Sequence, residues 1–120
     1  MNEQDKKLLL TDLCGRLTYG VKVQDDMGRI YELSLGNTYL IDLYYGNGDY
    51  VEQPIKPYLR QMSSMTDDEK KEYDHRLECM FYDTMYDDAF AIDWLNAHHF
   101  DYRGLIEKGL AIEAPENMYK

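Results

Sequence analysis

The hydrophobic period of this chain changes near Arg60, and that change constrains its fold more than any other feature. On the N-terminal side the apolar residues alternate. Val21 and Val23 are separated by polar Lys22 and followed by Gln24, Asp25-Asp26-Met27-Gly28 supplies turn chemistry, and Ile30, Leu33 and Leu35 lie in a second extended run. Gly36-Asn37 marks another tight turn. Tyr39 to Tyr45, rich in aromatic and branched side chains, is the strongest strand signal, and Gly46-Asn47-Gly48-Asp49 breaks it. A last extended piece from Tyr50 to Ile55 is expected either to be an edge strand or to end early, because Pro54 and Pro57 cannot donate ladder hydrogen bonds.

Beyond Arg60 the period becomes helical. Thr66-Asp67-Asp68-Glu69 reads as a capping box, so a helix should begin there and run to about Tyr86, with Glu72 and Arg76 spaced for an i,i+4 pair. Asp87-Asp88 should cap a second helix carrying Phe90, Trp94 and Leu95, and Asp101 a third ending near Gly109. Ahead of the strands, Leu8, Leu9, Leu10 and Leu13 followed by Gly15 predict a short N-terminal helix. The expected fold is therefore one α+β domain over residues 1–120: an N-terminal helix, a three- to four-stranded antiparallel meander, then about three C-terminal helices.

Charge narrows the function. The chain has 23 acidic against 13 basic residues, a net charge of −10, and its lysines and arginines are scattered among acids. Direct binding to a phosphate backbone or an anionic membrane needs a basic patch, which this sequence does not offer. The start, MNEQDKKLLL, is too polar for a signal-peptide core or a spanning helix, so a cytoplasmic protein is expected. Cys14 and Cys79 lack paired spacing and read as free thiols.

Candidate chemistry centres on two places. In Asn96-Ala97-His98-His99-Phe100-Asp101-Tyr102 two histidines are adjacent, but on a helix adjacent side chains diverge by about 100°, so they do not readily share an ion. They read as the end of one helix, with Asp101 opening the next. His75 and Cys79 at i,i+4, beside Glu72 and Glu78, would supply half a zinc site, yet no second compact pair completes it, so neither metal nor cofactor is expected. Asp25, Asp26 and Asp49 lack the alternation of a calcium loop. Cys14 or Cys79 with His98, or Ser63-Ser64 with a histidine, could be nominated for nucleophilic catalysis. No nucleophile elbow, phosphate loop or dinucleotide fingerprint supports that, and the reading leans away from an enzyme and names no catalytic residue.

The long helix is more informative. Tyr73, Leu77, Met80 and Phe81 form the expected core face, while His75, Cys79, Tyr82 and Tyr86 lie on roughly the opposite side. That second stripe is either sandwiched between the sheet and the later helices, the preferred reading, or meets a partner. With twelve tyrosines in the chain and Asp83, Asp87, Asp88 and Asp93 crowding the next junction, the candidate interaction surface is His75, Cys79, Tyr82, Tyr86, Asp87 and Asp88. The functional expectation is a non-catalytic acidic module whose partner is a protein, a second copy of the chain included. A small metalloprotein or hydrolase is one alternative, and an acidic inhibitor of a nucleic-acid-acting protein another.

Ile55 to Arg60 with Ser63 to Thr66, and Asp93 to Gly109, are similar to a recurrent family of small proteins from gut anaerobic bacteria and their mobile elements. The similarity is close over the C-terminal half and loose over the N-terminal sheet. It implies a bacterial or phage-derived cytoplasmic setting and assigns no activity.

Overall fold

The computed structural model describes residues 3–25, 27–38, 55–82 and 89–119. Helix α1 (Glu3–Arg16) is followed by a turn of 3-10 helix at Leu17–Tyr19 and strands β1 (Lys22–Gln24) and β2 (Ile30–Glu32). Then come β3 (Lys56–Leu59), α2 (Asp67–Tyr82), α3 (Ala89–Ala97) and β4 (Ile112–Glu113). The α+β layout read from the sequence is present: an N-terminal helix, a sheet, and further helices. The extended segment expected at Tyr39 to Tyr45, and most of that at Tyr50 to Ile55, lie outside the described residues. Among the described residues no helix is long and apolar enough to cross a membrane.

Helix α1 runs through Gly15 rather than ending there, because Arg16 in its last turn is tied back to Asp12 by a 2.8 Å ion pair with both side chains fully buried. The reversal falls instead at Gly20, whose φ of 72° is left-handed. The β1–β2 turn is closed by Asp25, whose carboxylate accepts from the amides of Met27 and Arg29, each at 2.9 Å.

The described strands form a mixed sheet in the order β2-β1-β3-β4, with β1 antiparallel to both β2 and β3 and β4 parallel to β3. β3 is therefore interior among the described strands. Pro57 is tolerated because pairing with β4 begins only at the next residue, Tyr58 opposite Ile112. The strand β4 carries no alternating run, and two residues are too few for sequence to announce.

The Asp101 carboxylate accepts from the amides of Leu105 at 2.9 Å and Ile106 at 3.0 Å, but caps no helix. The chain beyond it makes a series of turns rather than a third helix, since Gly104 and Gly109 both take positive φ and interrupt it. The Thr66–Glu69 capping box forms in both directions, at 3.2 and 3.0 Å.

Two apolar clusters hold these elements. Leu9 and Leu13 of α1 pack against Val21, Val23, Leu33, Ile55 and Leu59 of the sheet region, with Leu105, Leu110 and Ala111 closing the group. Trp94, Leu95 and Phe100 form the second, with Met62, Met65, Tyr73 and Tyr102 around them. α2 turns a different face inward than its period suggests. Tyr73 and Met80 are half-buried, but Leu77 is 41% and Phe81 81% exposed, while Arg76 is drawn in to donate to the Phe90 carbonyl at 3.3 Å and lie 4.5 Å over the Phe90 ring. The expected core face is corrected by this rotation towards Arg76. Of the opposite stripe, His75 lies in solvent and Cys79 is half-buried.

Candidate functional site

The corner that joins α3 to the last strand organises a cleft. At the end of α3 the His99 amide donates to the Asn96 carbonyl at 3.1 Å and the Phe100 amide to the Leu95 carbonyl at 3.0 Å. This pair of bonds ends a helix when the intervening residue is left-handed, and His99 has φ of 64°. It is the one non-glycine with positive φ among the described residues, a conformation that costs about 1 kcal/mol for a residue with a Cβ. Its ring offsets that cost by stacking on Tyr119 with centroids 3.7 Å apart. The Tyr119 hydroxyl in turn donates to the Tyr58 carbonyl at 2.7 Å and accepts from the Lys22 amide at 2.8 Å. Burial pushes that hydroxyl up to about 12.

The two imidazoles therefore have different tasks. His98 sits on the opposite side of the corner, its ring 4.2 Å from that of Trp94 and its Nδ1 3.7 Å from Glu69 Oε2. His99 is buried, and that burial, aided by nearby Arg16, pushes it down to about 4. In the folded chain it is neutral at neutral pH, whereas in the unfolded chain it protonates around 6.5. As pH falls from 6.5 to 4 only the unfolded chain gains this proton, so stability is lost across that window, by roughly 2–3 kcal/mol. His99→Asn accepts the left-handed backbone and cannot titrate. Urea midpoints taken between neutral pH and 4 should slope in the parent and lose this component in the variant; an unchanged slope would refute the assignment.

Below the histidines, the Arg60 guanidinium makes two parallel bonds to Glu69, at 2.8 and 2.9 Å, and lies 4.2 Å over the Phe100 ring. The arginine holds the Glu69 carboxyl down at about 2. The segment from His99 to Asp101 continues the sheet alongside Arg60, whose amide donates to the His99 carbonyl at 2.7 Å and whose carbonyl accepts from the Asp101 amide at 2.8 Å. On the other side, Ala114 donates to the Leu59 carbonyl at 2.7 Å and leads the chain back to Tyr119.

Between these walls lies a cleft of about 480 Å³, lined by Arg60, Ser64, Thr66, Glu69 and His98 on one side and by Glu113, Pro115, Glu116 and Tyr119 on the other. Arg60 is committed to Glu69 and Phe100, so it is a poor anion clamp. The His98–Glu69 separation of 3.7 Å exceeds a hydrogen bond, and the Ser64 hydroxyl donates to the Gln61 carbonyl at 2.6 Å rather than to an imidazole. Ser64 and His98 do share the cleft, but neither is arranged as a nucleophile with its base.

The other residues singled out in the sequence fall elsewhere. His75 and half-buried Cys79 touch, Nε2 to Sγ, at 3.7 Å on α2. Cys14 is exposed on α1. Tyr82 is the last residue of α2, and Tyr86, Asp87 and Asp88 lie outside the described residues. Among the described residues no three of His, Cys, Asp and Glu gather as a metal-holding group. The cleft residues Arg60, Glu113, Glu116 and Tyr119 carry no local signal, because chain segments far apart in sequence bring them together; Thr66 and Glu69 have one as a capping box, and His98 and Ser64 only as nominated side chains. No family model, curated protein or solved structure matches the chain.

Proposed function

We propose that the chain is a non-catalytic, acidic protein-interaction module of the cytoplasm, which binds its partner through the outer face of α2 and the acidic junction at Asp87 and Asp88. The observation that carries this reading is Phe81, 81% exposed, one helical turn from Leu77 at 41%. Large apolar side chains on adjacent turns of an otherwise charged helix are the usual mark of a docking face. Asp74 and Glu78, both exposed, flank the pair. The rotation of α2 that places Arg76 over Phe90 is what turns this face outwards. A partner that fits is a protein with an apolar groove and a basic rim, in the bacterial or phage-derived setting that the C-terminal half resembles.

Covering a phenylalanine side chain in such a groove contributes about 1.5–3 kcal/mol. Phe81→Asp is therefore expected to weaken capture of the partner at least tenfold while lowering the melting midpoint by only about 2–4 °C, since the side chain lies mostly at the surface. The measurement is quantitative co-purification from the native host with parent and variant chains side by side. Equal recovery of the same protein by both would overturn this reading.

A further inference from the structure

The corner cleft has a chemistry of its own that the α2 face does not use. Its floor already holds one guanidinium, that of Arg60, between a carboxylate and an aromatic ring: 2.8 and 2.9 Å to Glu69, 4.2 Å over Phe100. With Arg60 and Glu69 neutralising each other on one wall, the opposite wall carries the Glu113 carboxylate, beside the His98 ring and Tyr119. Glu113 projects from β4, is exposed, and its side chain makes no hydrogen bond or ion pair among the described residues. One face of the Tyr119 ring is covered by His99 and its hydroxyl is tied at both ends, so the ring stands as a fixed wall of the cleft.

We propose that this cleft receives a cationic side chain, an arginine or lysine of the partner protein, with Glu113 as its counter-charge and Tyr119 as an aromatic wall. The inference rests on the interaction reading above and names the chemistry of that partner. Carboxylates favour guanidinium and ammonium groups through charge-assisted hydrogen bonds, and an aromatic face adds cation–π attraction. The cleft is pre-formed, since Arg60–Glu69 fixes one wall and the Ala114 and Tyr119 hydrogen bonds fix the other, so little ordering opposes binding. A volume of about 480 Å³ is enough for one long side chain and its flanking backbone. An anion, by contrast, would meet Glu113 and find Arg60 already engaged.

The test is a backbone NMR titration of the whole chain with three probes: acetyl-Gly-Arg-Gly-amide, the same peptide with neutral citrulline in place of arginine, and methylguanidinium. The arginine peptide should give saturable shifts at Gln61 to Glu69, His98 and Glu113 to Tyr119. The citrulline peptide should bind about tenfold more weakly, and so should methylguanidinium, which would mark a protein side chain rather than a free small cation as the occupant. Glu113→Lys should weaken the arginine peptide at least tenfold, and Phe81→Asp should leave it unchanged. Equal binding of the citrulline peptide, methylguanidinium binding as tightly as the arginine peptide, shifts elsewhere on the chain, or no shifts would each overturn the proposal. If the cleft fails while Phe81→Asp still abolishes capture, the interaction reading stands without this site.

Discussion

Asp12→Ala should lower stability by about 3–5 kcal/mol, a large part of the 5–15 kcal/mol that holds a domain together. Asp12 is fully buried and is shared by two arginines, Arg16 Nε at 2.8 Å and Arg103 at 2.6 Å. Arg16 is fully buried as well; among the described residues its only other hydrogen bond is to the Phe100 carbonyl at 2.6 Å, and its remaining terminal nitrogen has no hydrogen-bond partner. Removing the carboxylate strands a guanidinium in the interior, and the cost is that of desolvating an unpaired charge rather than that of losing one contact. At roughly 4 °C per kcal/mol for a chain of this length, the melting midpoint should drop by about 12–20 °C.

Two comparisons separate this explanation from simple loss of packing. Arg103→Met should cost much less, because the Arg103 side chain is 21% exposed and Asp12 keeps its bond to Arg16. The pair Asp12→Leu with Arg16→Met should recover most of the single-variant loss, since it removes both charges at similar volume. Denaturant midpoints at constant slope are the measurement. A loss under about 1 kcal/mol for Asp12→Ala would show that water reaches Arg16, and the buried-triad account would be wrong.

This triad also marks where sequence reasoning stops. Asp12 and Arg16 are i,i+4 on a helix, a spacing that ordinarily describes a surface pair worth a few tenths of a kcal/mol. Nothing local says that the same two residues are sealed beneath Phe100 and Arg103, which lie 84 and 91 residues away from their partners in the chain. The Thr66–Glu69 box was legible because a cap acts within a few residues, and Asp101 was legible as a local acceptor but not as the start of a helix. The inward face of α2 was not, because a tertiary cation–π contact between Arg76 and Phe90 outweighed the apolar period of Leu77 and Phe81. The cleft was invisible for the same reason as the triad. Arg60, Glu69, His98 and Tyr119 converge only once β3, α2, α3 and the C-terminal turn have assembled.

Phe100→Ala is expected to cost about 3–5 kcal/mol, the range for deleting a fully buried aromatic ring. The side chain is 0% exposed, and its ring lies 5.8 Å from that of Trp94 and 4.2 Å beneath the Arg60 guanidinium. Its backbone is equally committed, with the amide closing α3 on Leu95 and the carbonyl receiving Arg16. The backbone bonds survive the substitution, so the loss reports the cavity and the ring contacts alone. Phe100→Leu, which refills most of the volume, should therefore cost far less, about 1–1.5 kcal/mol. The leucine variant isolates the functional consequence. It keeps the fold but removes the aromatic face under Arg60, so the Arg60–Glu69 fork should loosen and the arginine-peptide shifts around the cleft should weaken. If Phe100→Leu binds the peptide as the parent does, the aromatic floor is structural only, and recognition rests on the walls at Glu113 and Tyr119.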